Sequence, residues 1–147
     1  MIRKLCVAVL LSTLSVLAVG AEHTVQMKNS GTDGMMVFEP GFLKVAVGDT
    51  VHFEPTDIGH NSQSVAELIP AGATPWKGEF GKKVSVTIDK NGVYVYQCLP
   101  HTMLAMVGVI VAGDATNLAD VKAKAVSFNA KISMNKERLN TYLAKAE

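Results

Sequence analysis

Cys98, His101 and Met106 fall within nine residues, in the stretch Cys98-Leu99-Pro100-His101-Thr102-Met103-Leu104-Ala105-Met106. Each has an ordinary reading when it stands alone. A lone cysteine is usually a small core hydrophobe, and a lone methionine is a gap filler. A lone loop histidine is most often simply hydrogen-bonded. Together, at Cys-x2-His-x4-Met spacing, thiolate, imidazole and thioether are three soft or borderline donors, and they point to metal chemistry. A closed site needs a fourth donor. The candidate is His60, in Asp57-Ile58-Gly59-His60-Asn61. His23 stands at the frayed start of the folded region and His52 at an outward strand position, so both are poorer choices.

Two histidines, a cysteine and a methionine form a specific recipe. A trigonal plane of two imidazoles and a thiolate, with a long, weak axial thioether, is the copper arrangement used for electron transfer. The sulfur donors favour Cu(I) and the imidazoles also suit Cu(II), so one ligand set serves both states. Four protein ligands leave no open position for a substrate, which speaks against catalysis at the metal. Two rival functions use the same residues. A copper chaperone or storage protein would want an open, labile site. An enzyme with Cys98 as nucleophile and His101 as base would need a third residue to orient the base. The nearest acidic residues in sequence, Asp89 and Asp114, are not obvious partners. Zinc competes for the same donors.

The cysteine count sharpens the metal reading. Of 147 residues, the first 20 read as a secretory signal peptide. Arg3 and Lys4 precede the apolar runs 5–11 and 14–19, and the cut falls between Gly20 and Ala21, or one residue later. Cys6 leaves with that segment. Cys98 is then the one thiol of an exported chain, which implies pairing between chains, reactivity or an occupying metal. Loss of Arg3 and Lys4 leaves 12 basic against 13 acidic residues, without the basic excess a nucleic-acid partner requires. No later segment is long and apolar enough to span a membrane, and the signal-like start makes an exported protein the expectation. It is also small enough to be one domain.

The donors must be positioned by a mostly β framework. Runs 24–28, 36–39, 42–47, 50–54, 84–88, 93–97 and 106–111 read as strands. Val51 and Phe53 face inward and His52 outward. The run 106–111 is continuously apolar, as expected of a strand buried on both faces. Asp89-Lys90-Asn91-Gly92 carries a hairpin signal that would pair 93–97 back on 84–88. The stretch 62–82 is irregular. After Gly113, Leu118, Val121 and Ala125 recur at helical spacing behind a Thr116 or Asn117 cap. A second helix, capped by Asn135, aligns Leu139, Leu143 and Ala146. The expected fold is an all-β sandwich or barrel over residues 21–113, with two C-terminal α-helices in 114–147 packed on it as part of the same domain.

Three stretches carry a resemblance: Met36-Val37-Phe38-Glu39-Pro40, Gly59-His60-Asn61, and Cys98-Leu99-Pro100-His101 through Met106-Val107-Gly108. With the two-helix tail, they resemble the blue-copper proteins of the cupredoxin family, most closely its pseudoazurins. The resemblance implies a Greek-key sandwich holding one type 1 copper, with His60, Cys98 and His101 equatorial and Met106 axial. It implies that the Asn61 backbone donates to the thiolate and ties the two ligand loops, and that Met36 and Pro100 pack around the His101 imidazole. It also implies a periplasmic electron shuttle, often serving a copper nitrite reductase or similar reductase. The sequence departs from the family at Ile58 and Gln97, where lysine is frequent, and at Thr102, where an aromatic is usual. Lys28, Lys77, Lys82 and Lys83 are the remaining candidates for a basic docking ring. Leu99, Pro100, Met103, Leu104 and Ala105 are expected to form an apolar collar around His101, through which a monomer docks its redox partners.

Overall fold

The computed structural model describes residues 19–147; the signal-peptide reading lies almost wholly outside them. Among the described residues, two four-stranded sheets pack face to face and two helices cover the outer face of one of them. No helix there is long and apolar enough to cross a membrane.

The first sheet has the order β2-β1-β4-β6 and contains β1 (Glu22–Gly31), β2 (Gly34–Glu39), β4 (Thr50–Glu54) and β6 (Val84–Thr87). The second has the order β3-β8-β7-β5, from β3 (Phe42–Val45), β8 (Val107–Ala112), β7 (Gly92–Gln97) and the two-residue β5 (Gln63–Ser64). β1–β4 and β3–β8 are parallel pairs; the other pairs are antiparallel. Helices α1 (Leu118–Asn129) and α2 (Arg138–Ala144) follow.

Period-two alternation along β7 and β8 divides the molecule into two cores. Val93, Val95, Val107, Val109 and Val111 face the helices, against Val121, Ala125, Phe128, Leu139 and Leu143. Tyr94, Tyr96, Ile110 and Ala112 face the first sheet, against Val25, Phe38, Val51, Phe53 and Trp76. That is why β8 reads as an unbroken apolar run: both of its faces are covered. Cys98 and Met106 continue the sandwich-facing phase of their strands and lie in that second core. Gly108 pairs with Tyr96 across the ladder. A Cβ at Gly108 would sit 2.2 Å from the Tyr96 ring, so only glycine lets the aromatic lie across β8.

The structure corrects several local expectations. The Asp89–Gly92 turn is not a hairpin, because β6 and β7 belong to different sheets. The backbone groups that such a hairpin would pair are taken by side chains. Tyr94 Oη accepts the Lys90 N–H and donates to the Lys90 carbonyl. The Asn117 amide accepts the Val93 N–H at 2.7 Å and donates to the Val93 carbonyl at 3.0 Å. Asn117 is thereby diverted from its expected capping bond, and α1 starts with no side-chain cap. Asn135 does not cap α2 with its side chain either; its carbonyl accepts the Arg138 N–H at 2.9 Å. β1 runs on through Asn29-Ser30-Gly31 and closes a tight hairpin with β2, Gly31 opposite Gly34. Met106 lies just outside β8, and the irregular stretch 62–82 contains β5 and a 3₁₀ turn at Ala66–Leu68.

Candidate metal centre

At one end of the sandwich His60, Cys98 and His101 bring one donor atom each to a common point, all within 4.8 Å of one another. His60 follows β4 in a loop that turns at Gly59, whose φ of +90° suits glycine. Cys98 ends β7. His101 sits in the 3₁₀ segment Leu99–Leu104, which Pro100 can open because its missing N–H falls in the first turn.

That segment closes on itself. The Ala105 N–H donates to the Thr102 carbonyl at 2.9 Å, and the Met106 N–H to the His101 carbonyl at 3.1 Å. This is the bonding pattern of a Schellman C-cap, with Ala105 in the left-handed position where glycine is usual (φ 60°). The His101 N–H in turn donates to the Cys98 carbonyl, and the Cys98 N–H to the Met106 carbonyl. Three donor-bearing residues are thus tied to one another through their own backbone.

The distances suit a metal ion. His60 Nδ1 and His101 Nδ1 are 3.1 Å apart, and Cys98 Sγ lies 3.7 Å from the first and 3.4 Å from the second. A trigonal ion with bonds of about 2.0 Å to nitrogen and about 2.3 Å to sulfur needs separations of about 3.5 and 3.7 Å. The tautomer fits as well. His60 Nε2 lies 2.9 Å from Asn29 Oδ1, so it carries the proton and donates, leaving Nδ1 with its lone pair towards the other donors. Burial, then the nearness of His101, lowers the His60 pKa against the opposing pull of Asp57, the direction that favours the neutral ring. Burial pushes the Cys98 thiol up, while the backbone N–H groups of Asn61 and His101 pull it down by facing the sulfur. Metal coordination supplies what those two N–H groups do not, since a bound thiol is deprotonated outright.

Asn61 is buried; its Oδ1 accepts the Leu99 N–H at 2.8 Å and its Nδ2 donates to the Gly78 carbonyl, joining the His60 loop to the Cys98 loop. Met36 is half-buried against the core that contains Cys98 and Met106, with a positive φ of 50°. Pro100 is exposed, and so are Leu99 and Met103, at 47 % and 55 %. Leu104 is half-buried. Ala105 is 0 % exposed, which corrects its placement in the collar: the left-handed turn directs it inward under the loop. Lys77, Lys82 and Lys83 are exposed, whereas Lys28 is paired with Glu39 and Lys83 with Glu54. Two apolar residues absent from the expected collar, Ile58 and Phe80, are exposed beside the His60 loop; the Gly81 N–H donates to the His60 carbonyl. The sequence reading also missed Asn29, which a strand assignment alone cannot aim at a histidine 31 residues away. Thr102 and Gln97, two of the departures noted above, meet each other: the threonine hydroxyl donates to Gln97 Oε1 at 2.7 Å.

Residues 25–113 match the family model described as copper binding proteins, plastocyanin/azurin family. The chain belongs to that family. The relatives that match over most of the chain are pseudoazurins, and plastocyanins match over shorter stretches. The chain is 44% identical over 138 residues to a putative pseudoazurin of Rhizobium leguminosarum bv. viciae, spanning 93% of this chain and 86% of the relative. It is 36% identical over 124 residues to the pseudoazurin of Paracoccus pantotrophus, covering 84% and 83% of the two. Among solved structures, native pseudoazurin from Hyphomicrobium denitrificans superposes with a TM-score of 0.75 at 42% identity, covering 85% of this chain and 98% of that one. Membership makes copper the cofactor and blue-copper electron transfer the activity class.

Proposed function

We propose that this chain is a monomeric periplasmic one-electron carrier, with a single type 1 copper held by His60, Cys98, His101 and Met106. The observation that supports it most is preorganisation: three donors stand 3.1–3.7 Å apart on hydrogen-bonded backbone. When bound there, copper supplies a one-electron couple. The protein's part is to hold the donors still through both oxidation states and to keep water away. Cys98 and His60 are 0 % exposed, and so is Met106, the axial donor in this reading. His101 is half-exposed, framed by Leu99, Pro100 and Met103, and it forms the edge through which the electron passes.

The exposed rim, with Ile58 and Phe80 added, serves brief docking to a reductase such as a copper nitrite reductase. Exposed apolar patches mark such surfaces, and small interfaces release quickly. Lys77 and Lys82 are the steering charges that take part in no ion pair among the described residues. The signal-like segment 1–20 supplies export. A copper chaperone is disfavoured because two of the three clustered donors are fully buried.

The test is the visible spectrum of the oxidised, copper-loaded chain, followed by stopped-flow electron exchange with a purified copper nitrite reductase. An intense thiolate-to-copper band and salt-dependent transfer support the carrier. A colourless protein after copper addition and oxidation rejects it. A coloured protein with no transfer rejects only this acceptor.

A further inference from the structure

Arg138, the first residue of α2, is 8 % exposed, yet no ion pair among the described residues includes it. Its guanidinium is spent on main-chain carbonyls. Nη1 donates to Met36 O and Ala105 O, each at 2.8 Å, and Nη2 to Asp33 O at 3.0 Å and Met35 O at 3.1 Å. Its backbone N–H donates to Asn135 O. Among the described residues, three non-glycine positions have positive φ: Met36 at 50°, Ala105 at 60° and Asn135 at 53°. All three carbonyls are bonded to Arg138. Left-handed backbone at an L-residue with a Cβ is costly, and it persists only where the surroundings over-determine it. Here a single residue provides a constraint at each of the three places.

The neighbouring tail reinforces the grip. The Ser133 and Met134 N–H groups donate to Met103 O at 2.8 and 3.1 Å, and Asn135 Nδ2 reaches Leu104 O at 3.4 Å. Tyr142, one turn after Arg138, donates to Asp33 Oδ2 at 2.6 Å and holds the β1–β2 turn from the same helix. Three successive carbonyls of the ligand loop, Met103 to Ala105, therefore face the segment that leads into α2.

We propose that Arg138 is a positioning residue for the metal centre: it locks the left-handed turn at Ala105 and so sets where Met106 stands relative to His101 and Cys98. The inference rests on the copper reading above for its spectroscopic arm only. Without the guanidinium, the Met36 carbonyl loses that donor, the Ala105 carbonyl keeps only the Val107 N–H at 2.9 Å, and Ala105 is less firmly held in the strained turn. The Schellman bonds from Ala105 and Met106 then loosen, while His60 and Cys98 stay with their own loop and strand. A lysine cannot replace the planar fork, because a single ammonium cannot reach four carbonyls arranged along two edges.

The experiment compares Arg138→Met and Arg138→Lys with Leu143→Ala, which weakens the same helix from its buried face while removing no hydrogen bond to the loop. Amide hydrogen exchange is read on the full metal-free chain. Arg138→Met should speed exchange at Ala105 and Met106 by about tenfold or more beyond any change in the β7 and β8 amides, because bonds to a charged donor are lost. Leu143→Ala should raise exchange without that local excess. In the copper-loaded chain, Arg138→Met should shift the thiolate-to-copper band pattern and the potential, and Leu143→Ala should leave both in place. Ala105→Gly, which removes the strain, should shrink the shift caused by Arg138→Met. If Arg138→Met does not fold, Arg138→Lys decides by the same comparison. Equal local exchange in the Arg138 and Leu143 variants overturns the proposal, as does a band shift that Ala105→Gly leaves undiminished. A wild-type chain without a thiolate band would reject the copper reading and leave the exchange comparison to decide the clamp.

Discussion

The backbone N–H of Cys98 donates to the carbonyl of Met106 at 2.9 Å, one step beyond Gln97 and Val107, the last pair of the β7–β8 ladder. The two residues are cross-strand neighbours. Both continue the face of their strands that looks into the sandwich, so strand register brings this thiol and thioether into one core. The 3₁₀ segment between them carries His101 to the same point.

The two sulfur residues should respond differently to substitution. Cys98→Ala is expected to abolish the intense visible band, since the thiolate is the source of the charge transfer. Met106→Leu should keep copper and colour and raise the reduction potential, because loss of a weak axial donor further favours Cu(I). Copper titration with absorption and voltammetry checks both. Loss of copper from Met106→Leu as complete as from Cys98→Ala would contradict the axial assignment.

Asn29 orients His60 from another strand. Asn29→Leu removes the acceptor that holds the Nε2 proton and should weaken metal binding about 10–100-fold, the usual cost of an orienting partner. Competition titrations with a chelator of known affinity measure it. Unchanged affinity would mean that the imidazole is held by packing alone.

Tyr96 and Gly108 make a paired stability test. Gly108→Ala forces a methyl into the Tyr96 ring and should cost about 1–3 kcal/mol of overpacking, seen as a Tm lowered by roughly 3–12 °C at this size. The buried Tyr96 hydroxyl has no hydrogen-bond partner among the described residues. Tyr96→Phe should therefore raise stability, by about 1 kcal/mol. A destabilised Tyr96→Phe variant would reveal a partner for that hydroxyl.

Acid stability follows Glu39. Hydrogen bonds from Lys28 and Thr32 lower its pKa to about 2 from an ordinary 4.5. A carboxylate depressed on folding stabilises the native state above its unfolded pKa, and that contribution fades as pH falls through the folded value. The stability gap between wild type and Glu39→Gln should thus be full at neutral pH and close progressively from about pH 5 towards pH 2. Urea unfolding across that range reads it directly. A gap independent of pH would mean that the pairing is worth nothing as an ion pair. Because the same pair neutralises Lys28, Glu39→Gln should also leave that lysine free to add to the basic rim.

The donor set was legible in the chain itself, because donor softness is a property of residue type, and a Cys-x2-His-x4-Met run with a separate Gly-His-Asn is hard to explain as core packing. Most strands were legible too, since burial on one or both faces leaves period-two or unbroken apolar runs, as in Thr50–Glu54 and Val107–Ala112. Tertiary structure decided what depends on meetings between distant segments. The Asn-Gly turn became a crossing between sheets because Tyr94 and Asn117 occupied its backbone groups. Ala105 left the expected surface because its φ turns it inward. Asn29 and Arg138 gained their roles from partners 31 and 33 residues away, respectively His60 and Ala105. Local sequence records what a residue can bond, whereas only the folded chain determines which buried carbonyl or imidazole is left for it to satisfy.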